Sequence, residues 1–147
     1  MSDQTDPSLR SVELTRIGPA RFKATNARGG ETFFGTGGED PDFTPVELLL
    51  AAIAGCSALD VEAITHKRTS STRFDVRAEG RKVRDEHGNH LTGLRVSFDV
   101  AFPEGREGDV ARARLQAAIE MSRDRLCTVS RTVQLGADVA YDRVSRP

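Results

Sequence analysis

The stretch FTPVELLLAAIAGCSALDVEAI, residues 43–64, is the most apolar part of the chain, and its reading decides the fold. Thr44 stands where a helix cap belongs. Pro45 follows at the first helical position, and Glu47 lies three residues after Thr44, the spacing of a capping box. The pattern predicts a helix from Pro45 to about His66. At 100° per residue, Leu49, Ala52, Ile53, Asp60 and Ala63 fall within about 60° of Cys56. Leu50, Ala54, Ala58 and Val61 cover the opposite side. A helix apolar nearly all round belongs in an interior. Its length would tempt a transmembrane assignment, but Glu47, Asp60 and Glu62 make insertion costly. Gly55 in its middle costs roughly 1 kcal/mol against alanine, so a close approach to the backbone is expected there.

Cys56 sits at the centre of this helix and has two readings. Free cysteine is among the most buried residue types and packs as a small hydrophobe. It is also a nucleophile when its thiolate is stabilised. Asp60, one turn later on the same face, needs a partner, such as an arginine or backbone donors. The second cysteine, Cys127, lies in SRDRLCTVSR with Arg123, Arg125 and Arg131 close in sequence. Positive charge would lower its pKa. Alternatively, these arginines form an ordinary basic helix end.

The rest of the chain fits an α+β domain. Short strand-like runs lie at SVELTRIG, ARFKATN and ETFFGT, divided by turn signals at Gly18-Pro19 and Ala27–Gly30. After the long helix, strands are expected over Arg73–Arg84 and Leu91–Phe102, joined by DEHGNH. In the second, Leu94, Val96, Phe98, Val100 and Phe102 alternate with polar residues, so one face is buried. A second helix is expected over Glu107–Arg123, with Ala111, Leu115, Ala118, Ile119 and Ser122 inward. A final strand is expected over Thr132–Asp142, where Val133, Leu135, Ala137, Val139 and Tyr141 alternate. The expected order is βββ-α-ββ-α-β. Residues 1–10 read as a flexible tail and 11–147 as a single domain.

Composition narrows the function. The 147 residues carry a formal net charge of −1, with 29% charged and 37% hydrophobic side chains. That balance suits a globular chain and offers no basis for binding a nucleic-acid backbone. MSDQTDPSLRS lacks the apolar core of a leader, which points to the cytoplasm. There, two cysteines suit a transient redox pair, or two unrelated thiols, better than a static disulfide. The histidines offer no Cys-His pair. HGNH, with Asp85 and Glu86, lacks a second ligand cluster, so no metal is expected. GTGGED carries acids and no lysine, so neither a phosphate loop nor a cofactor is expected.

FTPVELLLAAIAGCSALDV, followed by RARLQAAIEMSRDRLCTVSRT, resembles the OsmC/Ohr family of osmotically inducible and organic hydroperoxide resistance proteins. The likeness spans nearly the whole chain and includes two cysteines 71 residues apart. It implies an intertwined α+β homodimer whose central helices are wrapped by sheets. It also implies peroxidase chemistry. Cys56 would attack an organic hydroperoxide and become a sulfenic acid, Cys127 would resolve it as a disulfide, and an external dithiol would reduce the pair. Family peroxidases use an arginine beside the thiol. Gly35–Thr44 contains none, which leaves Arg16, Arg21 and Arg28. Arg16 shares strand parity with Val12 and Leu14 and is the candidate expected to face inward. The peroxidases also place a glutamate directly after the proline, where this chain has Val46. In that respect it looks more like the OsmC-like branch, whose alternative role is noncatalytic binding of a small apolar molecule.

Overall fold

The computed structural model describes residues 6–145. The chain forms two compact units, which divide at Leu49 and Leu50. Met1–Thr5, half of the expected tail, lie outside the described residues, and Asp6–Arg10 are exposed.

The first unit is an antiparallel meander of β1 (Val12–Gly18), β2 (Arg21–Asn26) and β3 (Glu31–Phe34). Phe22 and Phe34 lie opposite each other and stack with ring centroids 5.7 Å apart. The following loop is braced by Arg21, whose guanidinium pairs with both Asp40 and Asp42. The predicted capping box is present. Glu47 N–H donates to Thr44 Oγ1 at 3.2 Å, and Glu47 Oε2 accepts from Thr44 N–H at 2.9 Å.

That cap opens α1 (Pro45–Thr65), in agreement with the expected helix. Its length and mean hydropathy of 1.7 would suffice for a membrane span. Among the described residues, Ile53, Ser57, Val61 and Thr65 form one buried stripe along it. Its other faces are open in the single chain: Leu49 and Val46 are each 38% exposed and Leu59 is 69% exposed. Gly55 is exposed too, and an added Cβ would meet nothing within 4 Å among the described residues. The close approach expected there is therefore not made by the described residues.

In the second unit, β4 (Arg73–Asp85) and β5 (Gly88–Ala101) form a long antiparallel hairpin. Val96, Phe98 and Val100 are half-buried and Phe102 is buried, while Ser97 and Asp99 face out. The expected alternation holds from Val96 to Phe102, but Leu94, also expected inward, is 38% exposed. α2 (Arg106–Met121) buries Ala111 and Ala118 as expected. Gly108 is required at its start, because a Cβ there would stand 1.7 Å from the Pro103 carbonyl oxygen. A widened π-helical turn, Ser122–Leu126, ends α2, and an eight-residue helix, α3 (Thr128–Leu135), follows.

α3 corrects the expected final strand at Thr132–Asp142. Cys127 caps the helix N-terminus, and Gly136, at φ 65°, closes it with its N–H on the Thr132 and Val133 carbonyls. Val133 and Leu135 lie before that stop, and Val139 and Tyr141 after it. Their alternation therefore crosses a helix boundary. Residues 137–145 take no regular structure, with Val139 72% and Tyr141 92% exposed. No neighbouring strand pairs with them among the described residues. The observed order is βββ-α-ββ-α-α, still α+β.

Candidate active site: two thiols beside a carboxylate

Cys56 and Asp60 lie four residues apart on α1, so both project from one side of the helix. Cys127 reaches the same place from the junction of the widened turn and α3. The two sulfurs and an Asp60 carboxylate oxygen all lie within 4.8 Å of one another. Both thiols are free; Cys127 is completely buried and Cys56 is half-buried. Tertiary packing thus brings together two cysteines 71 residues apart in sequence.

Ser122 locks the arrangement. Its hydroxyl donates to Asp60 Oδ2 at 2.9 Å, and its carbonyl accepts the Cys127 N–H at 2.9 Å. Asp60 therefore finds its partner in a neutral hydroxyl rather than the expected arginine or backbone donor. The first N–H groups of a helix have no partner within it and serve as anion ligands. In α3 they serve the sulfurs. Ser130 N–H donates to Cys127 Sγ at 3.3 Å, and Val129 N–H favours the ionised form of Cys56.

The two thiols are pushed in opposite directions. Burial raises the Cys56 pKa above the ordinary thiol value; the Val129 N–H opposes this, while Cys127 and the Asp60 charge add to it. Burial also pushes Cys127 up, but its neighbours outweigh that effect and hold it below the ordinary value. They are the hydroxyls of Ser130 and Ser57, the Ser130 N–H and the Cys56 thiol. Ser130 Oγ is buried and makes no hydrogen bond of ordinary geometry among the described residues.

Two of the three arginines expected beside Cys127 make their hydrogen bonds elsewhere. Arg123 turns to Asp124, with Nε 2.6 Å from Oδ1, and Arg131 donates to Gln134 at 3.1 Å. Serines and backbone amides take their place. Ser57, Ser122 and Ser130 were missed as site residues. Only Ser130 left a signal: it stands three residues after Cys127, the spacing of a helix cap and its N–H. That signal becomes readable once α3 is known to start at Thr128.

Arg16 lies on β1, opposite Phe22, in the first unit. It is exposed, as are Val12 at 66% and Leu14 at 54%. The face expected to turn inward is therefore exposed among the described residues. His87 and His90 also stay local, each 3.5 Å from a neighbouring carboxylate, Glu86 and Asp85 respectively.

A cavity of about 290 Å³ adjoins the thiol site within the second unit. Ile53, Phe98 and Val133 supply apolar lining, and Ser57 and Ser130, which also serve Cys127, line it too.

A model of the OsmC-like protein family matches residues 37–142, a span that includes both cysteines. An uncharacterised protein of Mycobacterium tuberculosis is 29% identical over 137 residues, covering 92% of this chain and 97% of its own. Among solved structures, a hypothetical protein of Aquifex aeolicus superposes with TM-score 0.69 at 22% identity, over 88% of this chain and 90% of that one. The organic hydroperoxide resistance protein OhrB of Bacillus subtilis superposes with TM-score 0.59 at 15% identity, over 87% and 93%.

Proposed function

Because the chain belongs to the OsmC-like family, we propose that it is a thiol-dependent peroxidase that reduces organic hydroperoxides through Cys56 and Cys127. The observation that carries this reading is the approach of the two sulfurs to within 4.8 Å. The Cys56 thiolate attacks the terminal peroxide oxygen; the O–O bond breaks, the alcohol leaves with a proton, and Cys56 becomes a sulfenic acid. The Cys127 thiolate then attacks the Cys56 sulfur, and the hydroxyl departs as water once protonated. The product is a Cys56–Cys127 disulfide. An external dithiol restores both thiols and is itself oxidised.

Each thiol has a part that suits its surroundings. Half-buried Cys56 can meet a substrate. Buried Cys127 is held toward the thiolate state needed for rapid resolution. No cation is among the groups that shift the Cys56 pKa, which burial raises. We assign the part of activating cation to Arg16, which makes no ion pair among the described residues. Its charge would favour the attacking thiolate and the developing alkoxide. The apolar face of α1, with Leu49 and Leu59 exposed, supports a homodimer in which a second copy covers it. Light scattering at micromolar concentration should return twice the chain mass, and a single-chain mass would remove the dimer. Two free thiols suit a reducing cytoplasm.

Consumption of several organic hydroperoxides, measured with a dithiol reductant, tests the activity. Catalytic turnover with a Cys56–Cys127 linked peptide in the oxidised protein supports it. Oxidation of Cys56 with no linked peptide would remove Cys127 from the reaction. A second reading, noncatalytic binding of a small apolar molecule, draws on the 290 Å³ cavity and on Val46 in the glutamate position. Under that reading an apolar fluorophore binds in the cavity and no hydroperoxide is consumed.

A further inference from the structure

We infer that Cys56, Asp60 and Cys127 form a binding site for one zinc(II) ion, with a fourth coordination position left for water or an added ligand. The inference rests on the donor geometry and stands whether or not the chain consumes hydroperoxides.

The donors converge from two separate segments. Cys56 and Asp60 come from successive turns of α1, and Cys127 comes from the cap of α3. Their ligand atoms lie within 4.8 Å of one another. In tetrahedral zinc with Zn–S of about 2.3 Å, two thiolate sulfurs stand about 3.8 Å apart. Side-chain rotations that shorten each separation by up to about 1 Å would therefore close the site around an ion. Two sulfurs and one carboxylate oxygen select a borderline-soft divalent cation. Calcium and magnesium require oxygen shells that these residues do not supply.

The surrounding hydrogen bonds suit metal ligands. Ser122 holds Asp60 through Oδ2, which leaves Oδ1 to coordinate. Ser130 N–H donates to Cys127 Sγ at 3.3 Å, as an outer-shell donor to a bound thiolate does. Charge points the same way. With both thiols ionised, the cluster would carry three negative charges in a partly buried space. No salt bridge reaches Asp60 among the described residues; its partner is the neutral Ser122 hydroxyl. A dication offsets that charge, and its binding displaces the two thiol protons.

The test uses the reduced, chelator-treated full chain titrated with cobalt(II), a spectroscopic stand-in for zinc. One equivalent should produce sulfur-to-cobalt charge-transfer absorption and the visible bands of tetrahedral cobalt, and zinc(II) should abolish both. Zinc affinity is then read by competition with a chromophoric chelator. Cys56→Ser and Cys127→Ser should each weaken it by at least about 100-fold. Asp60→Asn should weaken it at least about tenfold, with an unchanged circular dichroism spectrum confirming the fold. His87→Ala/His90→Ala should leave affinity and spectrum unchanged. Cobalt spectra without sulfur charge transfer would overturn the site. So would zinc affinity indifferent to Asp60→Asn, or binding lost in the histidine variant. Because no hydroperoxide enters the assay, failure here leaves the peroxidase reading intact, and an inactive chain that binds zinc leaves this inference intact.

Discussion

Cys56 and Cys127 carry the same group in the same small space, yet their surroundings drive them apart. Cys56 stands in the middle of a 21-residue helix, where the backbone amides around it are already committed to that helix. Its sulfur is raised by burial and by the neighbouring Cys127 and Asp60. Cys127 stands at the first break after the widened turn, where uncommitted amides and two serine hydroxyls are within reach. The difference teaches that position along a helix matters more for a thiol than nearby arginines in sequence. Arg123 and Arg131 flank Cys127 but spend their hydrogen bonds on Asp124 and Gln134.

The largest effect that would sharpen this contrast is on activity. Cys56→Ser should lower steady-state hydroperoxide consumption by at least about a thousandfold, since the nucleophile is gone. Cys127→Ser should instead permit one rapid turnover and then stall as a sulfenic acid, visible by mass spectrometry. A burst in Cys56→Ser and none in Cys127→Ser would show that the roles are reversed.

Stability is expected to separate the pair next. Cys127→Ala removes a helix cap and a fully buried side chain, and should cost about 1–3 kcal/mol in urea unfolding. Cys56→Ala leaves its helix intact and should cost less than about 1 kcal/mol. Equal losses would mean that the α3 cap contributes nothing particular.

Titration offers a finer cut. Followed by ultraviolet thiolate absorbance, Cys127 in Cys56→Ala should keep a midpoint below the ordinary thiol value, though raised by loss of the Cys56 donor. Cys56 in Cys127→Ser should stay above that value because burial remains, but move down as the Cys127 interaction disappears. The effects on stability have opposite signs. For Cys127, the folded chain binds fewer protons between the two pKa values. Its contribution is therefore full above the unfolded value and is lost as pH falls through the folded one. For Cys56, the contribution is full below the unfolded value and is lost as pH rises through the folded one. Parallel pH profiles in the two variants would break the comparison.

The smallest expected effect concerns Arg16. Arg16→Met should slow alkylation of Cys56 at neutral pH severalfold and leave Cys127 unaffected. An unchanged Cys56 rate would return the search for the cation to Arg21 and Arg28.

Much of the fold was legible because its signals are local. The Thr44–Glu47 box and Pro45 marked the start of α1, and the alternation in β5 marked its buried side. The last element was misread because Val133 and Leu135 fit a strand rhythm as readily as they fit the last turn of a short helix. The deciding signal, a cysteine acting as cap, falls outside the usual capping residues. At the site, the two cysteines and Asp60 could be picked out as chemically able groups. The serines around them could not, because a serine looks the same in sequence whether its hydroxyl meets water or a buried sulfur.

The chain by itself determined which groups could react and which elements would carry them, because capping, helical phase and strand alternation depend on residues only a few positions apart. Tertiary structure alone decided that Cys127 reaches Cys56 across 71 residues, that Ser122 and not an arginine holds Asp60, and which thiol is held toward its thiolate. Those outcomes depend on distances and desolvation set by packing one segment against another. A thiol's pKa belongs to that environment and not to the residue.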